Sequence, residues 1–552
     1  MPSQYSIAHA SAPAGLGAVA DAFDAGHLGE LTRHVPFDLV DAVLEETGRV
    51  QQRVRLLPSR VGVYFLLALG LFPHLGYARV WSMLTSALPG VGRVSEKALR
   101  DVRRRVGAGP VKLLFDTLAV PLAAPHVRGV RYRCWRTVAF DGCGSLRCPD
   151  SERNRAWLGR AQTGRGGFHG HPCLQVVTLA ETGTRGLLGA VFGPRATGEI
   201  TYAARLVERL DPDMLLLADR AFDGGAFLAQ VRAQGTQFLV RMRSGRKLPR
   251  LAVLPDGSIL TRLGTLNVRV IQAQVTAHLA DGTRITGHYA LATSLLDHRA
   301  HPAGELIALY HEHWEIETGY LALRHTLLHG RVLRSMDPSG LEQELWALLA
   351  LYQALRHAMV DAARTDPGID PDRASFTVAT ATAQATLIQA TGVAVQHDPG
   401  PAAHMTAAIL AHLLPVRRPR ISARKVKSPN SRYNGRPLEE RPPASTRILG
   451  IELELEQPGT PPRPAPSPTT RTKIMNPGSR VDRVFTLLHA EPDRSFTPTE
   501  LAQTLEITNI NSFSAQLASW ARRGLLGKTG RGRYTIPDNY PTTDPLTNTD
   551  QP

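Results

Sequence analysis

The pattern of apolar and polar positions changes character along the chain. The longest apolar run is Val61 to Phe72, twelve residues preceded by Leu57-Pro58-Ser59. It is too short to cross a bilayer and predicts a buried helix near 60–71. Helical spacing continues over 76–87 and again over 95–106, "SEKALRDVRRRV", with Ser95 as an N-cap and Gly107 as a stop. From 134 the period shortens. "RTVAFDG", "HPCLQVVTLAETG" and "RGLLGAVFG" are β-branched, apolar runs separated by glycine-containing turns, and predict three successive strands. "GEITYAARLVERL" returns to helical spacing. "DMLLLADRAF" is continuously apolar, as a strand buried on both faces requires. A helix, "GGAFLAQVRAQG", and a strand, "TQFLVRMR", follow. The order β-β-β-α-β-α-β predicts a mixed α/β sheet under helices.

These patterns divide the chain. Residues 1–26 read as a flexible lead-in and 27–125 as a helical N-terminal DNA-binding domain. Residues 130–243 form the first part of an α/β core, and 244–296, rich in β-forming stretches and Asp-Gly turns, a β insertion. Residues 297–400 supply the second, helical part of the core. Residues 401–477 read as a basic arm and a Pro-rich linker, "QPGTPPRPAPSP". Over 478–538, three helices and a basic Gly-rich hairpin predict a winged helix-turn-helix domain. There Thr497, Pro498 and Glu500 form a capping box at the second helix. The tail 539–552 reads as disordered. The fold class expected is therefore multidomain α/β.

Composition narrows the function. The chain has 552 residues, 43% of them hydrophobic, which excludes collagen and wholesale disorder. Lys plus Arg is 64 against 48 acidic residues, a formal charge of +16. Such a surplus predicts a polyanionic partner, with double-stranded DNA first. The four cysteines lie between Cys134 and Cys173 without a CxxC pair. They read as reduced thiols in a soluble, cytoplasmic protein rather than as a disulfide framework or zinc site. The charge concentrates in three places. Arg100, Arg103, Arg104 and Arg105 lie on the third N-terminal helix. The segment 417–434 holds seven basic residues and no acidic one, among them Arg417, Arg418, Arg420, Arg424, Lys425 and Lys427. The hairpin region 522–533 carries Arg522, Arg523, Lys528, Arg531 and Arg533. Each is a candidate DNA contact, and for each a solvated basic surface is the plainer alternative.

Two aspartates end predicted strands, Asp141 after "TVAF" and Asp219 after "MLLLA". Strand ends are where open α/β sheets bind ligands, although Asp also starts ordinary turns. A third carboxylate is offered by the helix "ELIALYHEHWEIETGYLALRHTL". At 100° per residue, Tyr310, His313, Glu317 and Arg324 share one narrow face, bordered by Leu309, Ile316, Tyr320, Leu323 and Leu327. Glu312 and Glu315 project away from it.

The blocks "FDGCGSLRCPDSERNRAWLG", "LLLADRAFDGG" and "YHEHWEIETGYLALRHTLLHGRVLRS" resemble the three blocks of DDE transposases of the bacterial insertion-element-four family, over roughly residues 27–430. The third block is similar to that family's Y-(2)-R-(3)-E-(6)-K pattern, filled here by Tyr310, His313, Glu317 and Arg324. The resemblance implies a ribonuclease-H-like core interrupted by a β insertion. It implies that Asp141, Asp219 and Glu317 are catalytic and bind two Mg²⁺ or Mn²⁺ ions for two-metal phosphoryl transfer. It also implies DNA contacts at Tyr310, His313 and Arg324, terminal inverted repeats as substrate, and a homodimer in the synaptic complex. Two departures stand out. His313 replaces the family Arg and donates at most weakly to phosphate near pH 7. Arg324 replaces the family Lys and keeps the charge. Residues 244–296 contain no Trp, so a flipped base has no Trp there to stack on, and formation of a hairpin intermediate stays open. The alternatives are a catalytically inactive DNA-binding regulator and a metal-dependent nuclease without strand transfer.

Overall fold

The structure, a computed structural model, describes residues 27–53, 57–88, 91, 93–127, 129–159, 170–243, 246, 248–279, 284–310, 319–389, 404–416, 448–455, 480–492, 494–507, 509–522, 526–530 and 532–535. The chain divides into two compact units, residues 1–458 and 459–552.

The first unit begins with five helices: α1 Phe37–Glu46, α2 Ser59–Leu71, α3 Tyr77–Leu84, α4 Glu96–Val106 and α5 Gly109–Leu118. The apolar run becomes α2, which is buried along nearly its whole length. α4 starts where Ser95 Oγ accepts the Ala98 N–H and stops at Gly107, whose φ of 70° suits glycine. α2 and α4 touch at Gly62. A Cβ there would come within 2.7 Å of Val102, so only glycine permits this approach.

The strands are β1 Arg131–Tyr132, β2 Trp135–Arg147, β3 Cys173–Glu181, β4 Leu187–Pro194, β5 Met214–Ala218, β6 Gln237–Arg241, β7 Ala252–Val253, β8 Ile259–Leu263, β9 Leu266–Leu279, β10 Arg284–Thr293 and β11 Ile448–Leu455. They form one sheet in the order β4-β3-β2-β5-β6-β10-β9-β8-β7, with β1 on β2 and β11 on β9. β4, β3 and β2 are antiparallel neighbours, whereas β2, β5 and β6 run parallel. The residues read as a β insertion extend this sheet, because β10 pairs antiparallel with β6 and covers what would be an open edge. β11 lies in the stretch read as arm and linker. Its alternating "ILGIELEL" pairs with β9 from Leu279 to Ala273.

Helices cover both faces of the core strands. They are α6 Glu152–Leu158, α7 Glu199–Ala204, α8 Gly225–Ala233, α9 Ala303–Tyr310, α10 Pro338–Arg364, α11 Phe376–Gln389 and α12 His404–Ala411. On one face Phe140, Phe222, Phe227 and Val231 pack around α7 and α8. On the other, Ala139, Leu215, Leu217 and Leu239 join a core built with α10 and the N-terminal helices. Among the described residues no helix is long and apolar enough to cross a membrane.

The second unit holds α13 Arg480–Ala490, α14 Pro498–Thr504, α15 Ile510–Arg522 and a hairpin of β12 Gly527–Gly530 and β13 Arg533–Thr535. The capping box forms: Glu500 N–H donates to Thr497 Oγ1 at 3.3 Å, and Thr497 N–H donates to Glu500 Oε2 at 2.7 Å. Val484, Leu488, Leu501, Phe513, Leu517 and Tyr534 make its own small core.

Candidate active site

The register of two parallel strands brings the two aspartates together. β2 and β5 pair from Arg136↔Met214 to Phe140↔Ala218. Asp141 and Asp219 are the next residues on each, so they stand side by side on strands about 4.8 Å apart. Side chains alternate along a strand. Phe140 and Ala218 face α7 and α8, while Ala139 and Leu217 face α10. Asp141 and Asp219 therefore share the α10 side, and both are half-buried.

Each carboxylate is oriented by backbone. Asp141 Oδ1 accepts the Gly142 N–H at 2.8 Å. Asp219 Oδ1 accepts the Ala221 N–H at 2.7 Å and so caps a short 3₁₀ turn, Arg220–Phe222. Beneath Asp141 lies Tyr320. Its hydroxyl donates to the Asp141 carbonyl at 2.7 Å and sits 2.9 Å from Oγ1 of Thr178, the cross-strand partner of Asp141. Burial first, and then the Asp141 charge, hold the Tyr320 hydroxyl protonated well above the usual tyrosine range. Sequence periodicity placed Tyr320 only at the apolar border of the helix face.

Glu317 and His313 lie in 311–318, outside the described residues. Tyr310, at the end of α9, is buried with Leu306 and Ile307, so it packs in the core rather than offering its ring to solvent. Arg324 lies in a π-helical turn, Ala322–Leu327, and is half-buried.

Two features beside the aspartates escaped the sequence reading. The first is Arg241, next after the β5–β6 pair Ala218↔Val240 and hence beside Asp219, on the side that Leu239 faces. The second is Asp223. This buried carboxylate accepts the Arg243 N–H at 3.0 Å and pairs with Arg246 Nη1 at 3.1 Å, tying the segment after β6 to the segment after Asp219. The signal available was "RMRSGR" directly after a strand, which a search for carboxylates passes over.

The basic segments separate on inspection of their partners. On α4, Arg100 and Arg104 are exposed, 3.9 Å from Glu96 and 3.8 Å from Asp101 respectively. Arg103 is not a DNA contact. It is 8% exposed, and its guanidinium donates to Gln343 Oε1 at 2.8 Å, to the Gly340 carbonyl at 2.9 Å and to the Tyr77 and Ser335 hydroxyls. Gln343 returns a bond to the Arg103 carbonyl at 2.8 Å. Arg105, half-buried, donates to the Leu57 carbonyl and likewise braces the helices. Arg417, Arg418, Arg420, Arg424, Lys425, Lys427, Arg523 and Arg531 lie outside the described residues. Arg522 ends α15, and Lys528 is exposed on β12. Arg533 is exposed but donates to the Ser495 carbonyl at 3.2 Å.

The cysteines are free thiols, and burial raises the pKa of Cys148, to about 12, and of Cys173. Among the described residues no three His, Cys, Asp or Glu side chains form a metal-holding group.

Comparison with known proteins bears on this site. A family model described as the insertion element 4 transposase N-terminal region matches residues 25–116, and one described as a transposase DDE domain matches residues 136–353. The chain is 28% identical over 291 residues to the transposase InsG for insertion sequence element IS4 of Escherichia coli (strain K12), covering 51% of this chain and 64% of that relative. The match thus spans a little under two thirds of InsG. It is 24% identical over 202 residues to InsZ of the same strain, covering 37% of this chain and 67% of InsZ. A solved synaptic complex of piggyBac transposase with hairpin DNA overlaps at a TM-score of 0.36 and 11% identity, over 74% of this chain and 87% of that one, too distant to support an argument.

Proposed function

The chain belongs to the insertion element 4 family of DDE transposases, and from that premise we propose that it cuts DNA at the inverted-repeat ends of an insertion element and joins the freed ends to target DNA. The observation that carries this reading is that Asp141, within β2, and Asp219, just past the end of β5, stand on one side of the sheet where the parallel pairing of these strands stops. Tyr320 supports Glu317 as the third carboxylate. It is bonded to the Asp141 carbonyl, and Glu317 is three residues away in sequence, a span of at most about 11 Å. The strand order β4-β3-β2-β5-β6, antiparallel then parallel, supports a ribonuclease-H-like core. Three helices followed by a hairpin support a winged helix-turn-helix reading of the second unit, with Arg522, Arg523, Lys528 and Arg531 toward DNA.

The donor set fits hard divalent cations. Carboxylate oxygens at half-buried positions suit Mg²⁺ or Mn²⁺, and Asp141, Asp219 and Glu317 would hold two such ions. Bound there, the ions would supply an activated attacking oxygen and charge neutralisation at the leaving oxygen. The protein's own groups do the rest. Gly142 and Ala221 N–H groups fix the two carboxylates, and Tyr320 fixes the strand end beneath Asp141. Arg241 and Arg324 bring permanent positive charge toward the phosphate. A synaptic homodimer completes the reading.

The test is incubation of the protein with Mg²⁺ and duplexes carrying the inverted repeats that flank its gene. Cleaved ends that then join to target DNA are the expected result. Binding without cleavage would mark a regulator, and cleavage with no joining of a precut 3′ end would mark a nuclease.

A further inference from the structure

Two arginines flank Cys173 at the ends of β2 and β4, and among the described residues no carboxylate pairs with them. Arg147 ends β2 and is the register partner of Cys173, the first residue of β3. Arg195 follows Pro194, which ends β4 and pairs with Leu174, so Arg195 lies beside Cys173 on its other flank. Both arginines are exposed. Among the described residues neither makes an ion pair, nor does Arg324, whereas Arg133 pairs with Glu305 and Arg209 with Asp116.

Arg147 is also held in place. The Arg147 guanidinium donates to the Gly330 carbonyl, Gly330 N–H donates to the Arg324 carbonyl at 2.7 Å, and Leu333 N–H donates to the Arg147 carbonyl at 2.9 Å. The Arg195 Nε lies 3.2 Å from where a Cβ on Gly144 would stand, flat against β2. Glu199 does not reach either arginine. Its Oε1 accepts from Gln175 Nε2 at 3.1 Å instead. The positive charges of Arg195, Arg147 and Arg324 oppose the upward push that burial gives the Cys173 thiol.

We propose that Arg147 and Arg195 form a second phosphate-binding site, which grips the DNA backbone about half a helical turn from the scissile phosphate. This rests on the DNA-cutting reading above. A bulge between Cys143 and Leu146 leaves five register steps between Asp141, opposite Thr178, and Arg147, opposite Cys173, about 17 Å at strand rise, which equals about five base pairs of duplex. A guanidinium presents parallel N–H donors matched to two phosphate oxygens, and two guanidiniums on either flank of one strand suit a backbone rather than a single free anion.

The test measures affinity for an element-end duplex across a salt series, for the wild type, Arg195→Gln and the double variant Arg147→Gln/Arg195→Gln. The slope of log affinity against log salt should fall by about 0.9 per arginine removed, or about 1.8 for the pair. Arg147→Lys should recover most of the slope. Single neutral methylphosphonates placed along the duplex should weaken the wild type at about five base pairs from the cleavage point and leave the double variant indifferent there. Arg195→Gln keeps the test open if Arg147 variants misfold, because Arg195 bonds no partner side chain. An unchanged slope in the double variant overturns the proposal. Wild-type binding without cleavage would sink the catalytic reading alone, and the slopes would still decide the two arginines.

Discussion

Helix α4 carries Arg100, Arg103, Arg104 and Arg105 within a single turn and a half, whereas Arg147, Arg195 and Arg324 come from three segments far apart in sequence. By charge density α4 is the stronger candidate for DNA. By structure, half of its charge is committed inward. Arg103 spends its donors on Gln343, Gly340, Tyr77 and Ser335, and Arg105 on Leu57, so both join the N-terminal helices to the rest of the unit. The dispersed arginines are sparse in sequence, yet Arg147 and Arg195 flank one strand end, and among the described residues none of the three pairs with a carboxylate. What matters for a polyanion is the charge left over after internal partners are counted, and that quantity is set by tertiary contacts.

The largest effect that could break this comparison lies at Arg103. Arg103→Ala leaves Gln343 Oε1 and the Gly340 carbonyl without their donor in a buried place, so chemical denaturation should show a loss of about 4 kcal/mol. A loss under about 1 kcal/mol would return Arg103 to the surface. His34 extends the comparison to a titratable cation. It is held neutral by burial, its pKa lowered to about 4 despite Asp361 at 3.8 Å. The unfolded chain takes up that proton below about 6.5 and the folded one does not. Stability is therefore complete above that pH and declines as pH falls from about 6.5 toward 4, by up to about 3 kcal/mol. Denaturation midpoints across that range, flattened in His34→Gln, would check it. Tyr320→Phe should cost about 1–2 kcal/mol by removing the donor to the Asp141 carbonyl, and it should weaken Mg²⁺-dependent cleavage more than DNA binding. Equal losses in both would mean that Tyr320 supports only the fold. The smallest effect belongs to Arg100→Gln with Arg104→Gln. These exposed residues should change stability by no more than about 0.5 kcal/mol. If α4 does touch DNA, this pair, and not Arg103, should lower the salt slope of binding.

Local signals were legible in the sequence to the extent that they are local. The Ser95 cap, the Gly107 stop, the Thr497–Glu500 box and the strand ending just before Asp219 all depend on residues within a few positions of one another, whereas β2, expected to end at Asp141, runs on to Arg147 in its pairing with β3. Pairings across long separations were not legible. β10 closes onto β6, and β11 reaches back to β9 from a stretch whose Pro-rich and basic surroundings read as linker. The same holds for the site. Two aspartates could be named from pattern, but their shared side follows from the β2–β5 register, and Tyr320 gains its role only because Asp141 lies beside it. Arg103 was misjudged for this reason: the partners that bury it, Gln343 and Ser335, lie more than two hundred residues away.

The central claim is that Asp141, Asp219 and Glu317 act together at one metal-dependent centre. It is tested most directly by the rate of Mg²⁺-dependent cleavage of element-end DNA in Asp141→Asn, Asp219→Asn and Glu317→Gln, each with its DNA affinity measured alongside. The account predicts that every one of the three loses at least about a thousandfold in rate, on the scale of about 4 kcal/mol of transition-state stabilisation, while still binding the duplex. Cleavage retained near the wild-type rate in any one of them would contradict it.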